Sequence, residues 1–317
     1  MTTTSRPIAV FGAIHADRVA HAFQLIAKDT STPGKISLCA GGVGTNIALA
    51  LARLDLSPAI VGCVGDDADG RWISDFLGER GVLTQCIQRI EGARTGSYLA
   101  LHNPAGDLFA AISDSEITAK VALPTKELWP APLENSEIWF CETNLEPQLL
   151  QIIAEQKGHR KLAADTVSIA KAGRLRPILS QIDCLFTNRH EAAALLETRT
   201  EQPTKDMAKA LIDLGCKLVS ITDGPQALTV AKGSALHSLP VTRRETVDVT
   251  GAGDAFIAGF LRAQWQGKPT LDCAYDGLAA SSITIEATGA APATLTVAAM
   301  DKRCKELQLK QDNHPQP

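Results

Sequence analysis

Asp248-Val249-Thr250-Gly251-Ala252-Gly253-Asp254 runs directly into Ala255-Phe256-Ile257-Ala258-Gly259-Phe260-Leu261. A glycine-rich turn thus opens an apolar helix. Glycines let backbone approach a ligand with no Cβ in the way. The first amides of a helix have no intrahelical partner and point outward. With the macrodipole behind them they favour an anion, and phosphate above all. Asp254 stands out, because a carboxylate beside such a turn repels phosphate. One reading makes it a general base that takes a proton from a hydroxyl attacking phosphorus. The other makes it an N-cap aspartate after a loop. The segment alone leaves both open.

Outward from that turn, strand-like apolar runs alternate with helical patterns. Ile8–Gly12, Ala59–Val64, Ile138–Cys141, Leu162–Asp165, Cys184–Thr187 and Leu218–Thr222 read as buried strands. Thr45–Leu54, Gly70–Arg80, Pro147–Gln156, His190–Leu196 and Thr204–Leu214 read as the helices between them. Ala252–Gln266, Thr270–Glu286 and Thr296–Glu306 form a helical last part. This alternation predicts an α/β fold, a Rossmann-like three-layer domain with a mostly parallel sheet. Two stretches break the rhythm, about residues 15–40 and 84–113. They are short alternating segments with turns such as Asn103-Pro104-Ala105-Gly106-Asp107. They predict a small β lid standing off the main sheet, closing over its carboxyl edge. The whole chain, 1–317, reads as one domain plus this lid, with residues 308–317 expected to be a disordered tail.

A formal net charge of -4 and the lack of a basic block argue against a nucleic-acid partner. No apolar stretch has the length of a membrane span, and residues 1–7 lack the pattern of a signal peptide. The eight cysteines are scattered, with no Cys-x-x-Cys pair. They read as reduced thiols of a cytoplasmic protein.

Four further segments carry chemistry. Gly41-Gly42-Val43-Gly44-Thr45-Asn46 precedes a helix, and Asn46 offers donors and acceptors suited to a sugar diol, or is simply part of a helix start. Asp17 follows the first strand, where ligands bind in open α/β sheets, or is a solvated loop residue. Asn188 and Glu191 share a helix-start face, able to hold waters around Mg²⁺ or to form a capping box. Thr222-Asp223-Gly224 ends a strand, as a nucleotide contact or a plain strand-to-turn boundary. Neither Gly-x-x-x-x-Gly-Lys-[Ser/Thr] nor His-x-x-x-His occurs, which weighs against P-loop and zinc-hydrolase readings. The first βα turn, Gly12–Asp17, also lacks Gly-x-Gly-x-x-Gly, which weighs against a nicotinamide oxidoreductase.

Taken together and in order, Gly41-Gly42…Asn46, Asn188…Glu191, Thr222…Gly224 and Asp248…Asp254 resemble the ribokinase-like (PfkB) family of sugar and nucleoside kinases. The likeness spans about Ile8 to Thr296. It implies transfer of the ATP γ-phosphate to an alcohol, with Asp254 as base and Gly251, Ala252 and Gly253 as the anion hole. It implies sugar contacts at Asp17, Gly41, Gly42 and Asn46. ATP contacts are implied at Asn188, Thr222, Gly224, Thr250 and Gly253, and Mg²⁺ through water at Glu191. Asp248, Thr250, Thr284 and Gly289 match the region where many members hold a monovalent cation, usually K⁺. Two positions depart from the pattern: Ala227 where a second Gly is common, and Val43 where ribokinases carry Lys. Within the family, Gly41–Ala48, Thr95–Tyr98 and Ala164–Lys171 are similar to the pseudouridine kinase branch. That implies acceptor contacts at Thr95, Ser97, Asp165 and Lys171 and phosphorylation of a nucleoside 5′-hydroxyl. Adenosine, ribose, fructose or a keto-sugar are the other acceptors, and a sensor without turnover is a further reading. Exposed lid strands seek partners, so a homodimer through the lid is expected.

Overall fold

The computed structural model describes residues 8–242 and 244–312. Its strands and helices follow one another as β1 (Ile8–Phe11), β2 (His15–Ala22), β3 (Gly34–Gly41), α1 (Val43–Arg53), β4 (Ala59–Gly65), α2 (Ala68–Gly78), β5 (Ile87–Ile90), β6 (Ser97–His102) and β7 (Leu108–Asp114). Then come α3 (Ala131–Glu134), β8 (Ile138–Glu142), α4 (Pro147–Gln156), β9 (Lys161–Asp165), β10 (Cys184–Asn188), α5 (Arg189–Leu196), α6 (Thr204–Asp213) and β11 (Leu218–Thr222). The chain finishes with β12 (Ala227–Lys232), β13 (Ala235–Pro240), α7 (Ala252–Trp265), α8 (Thr270–Thr284) and α9 (Val297–Asp312).

Side chains alternate across a strand, so each strand of a buried sheet feeds two cores. In β1, Ile8 and Val10 enter one core while Ala9 and Phe11 enter the other. Helices α1, α2, α7, α8 and α9 pack on the first face, and α3 to α6 on the second. The result is the expected three-layer α/β architecture. The nine strands lie in the order β13-β12-β11-β10-β9-β8-β1-β4-β5. From β5 to β11 every neighbouring pair is parallel. The β12–β13 hairpin then extends the sheet in antiparallel fashion.

The second sheet has four strands in the order β3-β2-β6-β7. Both rhythm-breaking stretches contribute to it, as expected of a lid. Two details differ. Ile87–Ile90 falls within the stretch assigned to the lid, yet it pairs with β4 as the edge strand of the main sheet. Its Ile87 packs on one core and Ile90 on the other, which anchors it there. And β2 pairs with β6 in parallel, not as a hairpin. At the other end, α9 runs on to Asp312, so residues 308–312 are helical rather than tail. Residues 313–317 of the expected tail lie outside the described residues. No helix among the described residues is long and apolar enough to cross a membrane.

Candidate active site

The carboxyl ends of neighbouring strands line up along one edge of the main sheet. Glu142 ends β8 opposite Asp165 of β9, and Asn188 ends β10 opposite Thr222 of β11. Parallel strands point their carboxyl ends the same way, which makes this edge the natural place for a ligand.

Helix α7 starts at that edge. Gly251 caps it with φ 75, the left-handed region that favours glycine. A Cβ there would lie 2.4 Å from the Ala290 Cα, so the close backbone approach also demands glycine. Asp254 sits in the first turn, half-buried. Its Oδ2 accepts a hydrogen bond of 2.8 Å from Asn46 Nδ2, in the first turn of α1. Burial, with added repulsion from Glu142 and some relief from Asn46, lifts its carboxyl from 3.8 to about 7. A carboxyl tuned there is poised to take a proton near neutral pH.

Asp17 lies on the lid strand β2. Its Oδ1 accepts from the Tyr98 amide at 2.9 Å, and burial raises its carboxyl to about 6. Gly41 lies diagonally across the β2–β3 ladder, paired with His15, and a Cβ on it would come within 1.8 Å of Asp17 Oδ2. Glycine here is what leaves the carboxylate room. Gly42 next caps α1, which carries Asn46. One continuous path therefore links Asp17, Gly41, Gly42, Asn46 and Asp254.

Two cavities meet at Gly253. The first, about 200 Å³, is lined by Asp165, Asn188, Glu191, Thr222, Gly253 and Asp254, among others. The second, about 540 Å³, has apolar walls that include Leu228, Val241, Val249, Leu278 and Ile285, with Gly224 at one side. Thr222, Gly253 and Phe256 line both. A polar chamber thus opens into an apolar one beside the α7 amides. That division suits a phosphate chain on one side and a flat base on the other.

In the polar chamber, Asn188 and Glu191 form a reciprocal capping box at the start of α5. Glu191 Oε2 also accepts a 2.5 Å bond from Thr166 Oγ1. Asp165 accepts from the Val167 amide, and burial, followed by repulsion from Glu191, Asp254 and Glu142, raises its carboxyl well above the usual range. Among the described residues no group of three or more His, Cys, Asp or Glu is placed to hold a metal ion directly. The oxygen-rich wall matches the ligand preference of Mg²⁺ bound through water. Beyond the chamber, Asp248 Oδ1 accepts from the Thr250 amide and Oδ2 from the Gly289 amide. These bonds outweigh the burial that would raise it, and hold the Asp248 carboxyl below its ordinary value. Thr284 is fully buried; its hydroxyl donates to the Ala280 carbonyl and its own carbonyl accepts from the Ala287 amide at 3.1 Å.

Two expected acceptor contacts are committed elsewhere. The Thr95 hydroxyl donates to Asp67 Oδ1 and accepts from the Gly65 amide, while the Thr95 amide donates to Asp67 Oδ2. The Ser97 hydroxyl donates to the Ala16 carbonyl. Both residues brace the root of the lid. Lys171 Nζ donates to Asn144 Oδ1 at 2.6 Å and sits near Glu142 and His15.

Glu142 is the main participant that sequence reading missed. It is fully buried, with Oε1 accepting from the Ala13 amide and Oε2 from the Asn144 amide. It fastens the loop after β1, which leads to Asp17, and it raises Asp254. His15 is buried nearby; burial and Lys171 lower its imidazole to about 4, so it is neutral.

The profile of the pfkB family carbohydrate kinases matches residues 5–296. The chain is 26% identical over 266 residues to pseudouridine kinase of Escherichia coli, covering 83% of this chain and 85% of that protein. It is 30% identical over 251 residues to cytidine kinase of Thermococcus kodakarensis, covering 75% and 84%. Among solved structures, Arabidopsis thaliana ribokinase complexed with ribose and ATP superposes with a TM-score of 0.84 at 24% identity, covering 95% of this chain and 99% of that one.

Proposed function

The chain belongs to the pfkB family of carbohydrate kinases, and from that premise we propose that it transfers the γ-phosphate of ATP to the 5′-hydroxyl of pseudouridine. The observation that carries the reading is Asp254. Its carboxyl is lifted to about 7, is held by Asn46, and stands beside the α7 amides where the two cavities meet.

The acceptor's ribose hydroxyls bind Asp17 and Asn46, which sets O5′ toward the donor. Positioning of this kind removes at best roughly 7–11 kcal/mol of barrier. Asp254 accepts the O5′ proton as the new bond to phosphorus forms and the bond to the β-phosphate oxygen breaks. The amides of Gly251 and Gly253 stabilise charge on the transferring oxygens, while the Ala252 amide, expected to join them, donates instead to the Val249 carbonyl at 3.2 Å. The apolar chamber takes the adenine, with Thr222 and Gly224 at its rim, and Asn188 and Thr250 near the phosphates. Glu191 would hold Mg²⁺ through water, and the ion would neutralise phosphate charge. The Asp248, Thr250, Thr284 and Gly289 region would hold K⁺ through backbone oxygens. The lid excludes water as a competing acceptor. Lys171 and Asp165 face the base and sugar. We further propose a cytoplasmic homodimer joined through the lid.

Similarity to the E. coli pseudouridine kinase over most of both chains favours this acceptor. The cytidine kinase relative supports a second reading, in which another nucleoside or a sugar is phosphorylated. The test is ADP release with ATP and Mg²⁺ across pseudouridine, uridine, cytidine, adenosine, ribose and fructose. The proposal expects pseudouridine to have the highest kcat/KM. Another acceptor at the top sinks the pseudouridine assignment, and silence with every acceptor sinks the turnover.

A further inference from the structure

Arg244 lines the apolar chamber, yet it is anchored from behind by the C-terminal helices. Its Nη2 lies 3.3 Å from Glu306 Oε2 on α9, and its Nε lies 3.9 Å from Glu286 Oε1, just past the end of α8. That Nε is buried with no hydrogen-bond partner. Arg303 of α9 grips both carboxylates in turn. Its Nη1 and Nη2 donate to Glu286 at 3.2 and 2.9 Å, and its Nε is 3.5 Å from Glu306 Oε2. Arg303 Nη1 also donates to Ser282 on α8. The loop that follows Arg244 is tied to the same place, because the Val247 and Asp248 amides both donate to the Ile285 carbonyl. Two arginines and two glutamates therefore pin the wall of the chamber to α9. None of these four residues touches Asp254 or the α7 amides in the contacts above.

A guanidinium set this way does not serve the ion pairs alone. Isolated surface pairs contribute little, and an arginine with one edge left unpaired is costly to bury. Its planar cation is suited to stack on an aromatic ring in a desolvated pocket. We propose that Arg244 contacts the base of the bound donor nucleotide, and that Glu306, Glu286 and Arg303 are positioning residues that aim it. On this view α9 sets nucleotide affinity without touching the nucleotide. The inference rests on the kinase reading, since it takes the second cavity as the donor site.

The test is calorimetric titration of the full chain with ADP, alongside KM for ATP. R244M is expected to weaken ADP about tenfold, the size of one desolvated cation–π contact. E306Q, a milder change near the surface, is expected to weaken ADP about threefold and raise KM for ATP equally, with kcat and the acceptor KM within twofold of wild type. The double variant R244M/E306Q should bind no worse than R244M, because Glu306 acts only through Arg244. Full additivity of the two changes, or wild-type ADP affinity in either single variant, overturns the proposal. Absence of ADP binding by the unmodified protein overturns the kinase reading instead, and this inference with it.

Discussion

Burial holds the Asp254 carboxyl near 7, so at neutral pH it is about half ionised. A base accepts a proton only when ionised. The pH profile of kcat/KM is therefore expected to rise through about 7 and level off above it. Asp254→Asn should lower turnover about 10²–10⁴-fold while nucleoside still binds; near-normal turnover would refute the role. The same shift has a cost for folding. The native pKa lies above the unfolded value of 3.8, so the native state holds the proton more tightly. Stability from this group is full below about pH 4 and is lost as pH rises toward 7. A shift of this size is on the order of 4 kcal/mol when fully expressed. Asp254 is only half-buried and opens to the cleft, so about 2 kcal/mol is expected. Asp254→Asn should then melt a few degrees higher than the unmodified protein at pH 8, and at the same temperature near pH 4. Equal melting at both pH values would show that Asp254 is solvated in the folded protein. The glycine turn before α7 was legible because its left-handed cap and the close pass of Ala290 demand glycine at a fixed place. Glu142 was not. In the chain it is one acid after a strand, and its importance comes from the Ala13 amide, 129 positions away.

The lid is fastened at its root to the start of α2. Asp67 caps that helix by accepting from the Gly70 amide, and the same carboxylate holds Thr95 just ahead of β6. Asp69, in the first turn, accepts two bonds from Arg18 Nη2 of β2, at 3.0 and 2.8 Å. The central lid strands β2 and β6 are thus clamped by a single helix end. An ion pair this exposed contributes about 0.5–1 kcal/mol to stability. Its larger effect is on where Asp17, the neighbour of Arg18, sits. Asp69→Ala is expected to raise the acceptor KM about fivefold, with KM for ATP unchanged and the melting temperature within about 3 °C of the original. An unchanged acceptor KM would mean that the clamp does not position Asp17. The structural bonds of Thr95 and Ser97 were not legible in the sequence, because they reach to residues 28 and 81 positions away. The central strands, by contrast, were legible from apolar runs alone. The β12–β13 hairpin was not, since its edge position leaves β13 with a mixed burial pattern and weak periodicity.

At the scale of the whole molecule, the lid face opposite Asp17 exposes several large apolar side chains. Pairing register places Leu38 beside Arg18, Arg18 beside Leu99, and Leu99 beside Ile112. Ile36, Ala20 and Leu101 follow two residues along on the same face. Ile36 is 71% exposed, Ile112 68% and Leu38 41%. Neighbouring large apolar groups of this kind mark an interaction surface rather than a solvated one. A second copy presents the same face, and a two-fold contact is self-complementary. The proposed dimer would bury both faces and stiffen the two lids together, while leaving each acceptor side open. Light scattering after size exclusion at micromolar concentration should therefore give twice the chain mass of 33.6 kDa. Ile36→Glu with Ile112→Glu, which sets carboxylates where the two faces meet, should give the single-chain mass. The double variant should also need more acceptor for half-maximal rate, because an unsupported lid loses hold of Asp17, while its ADP affinity stays that of the unmodified protein. A single-chain mass for the unmodified protein removes the dimer, and a dimer that survives both glutamates places its interface elsewhere on the surface.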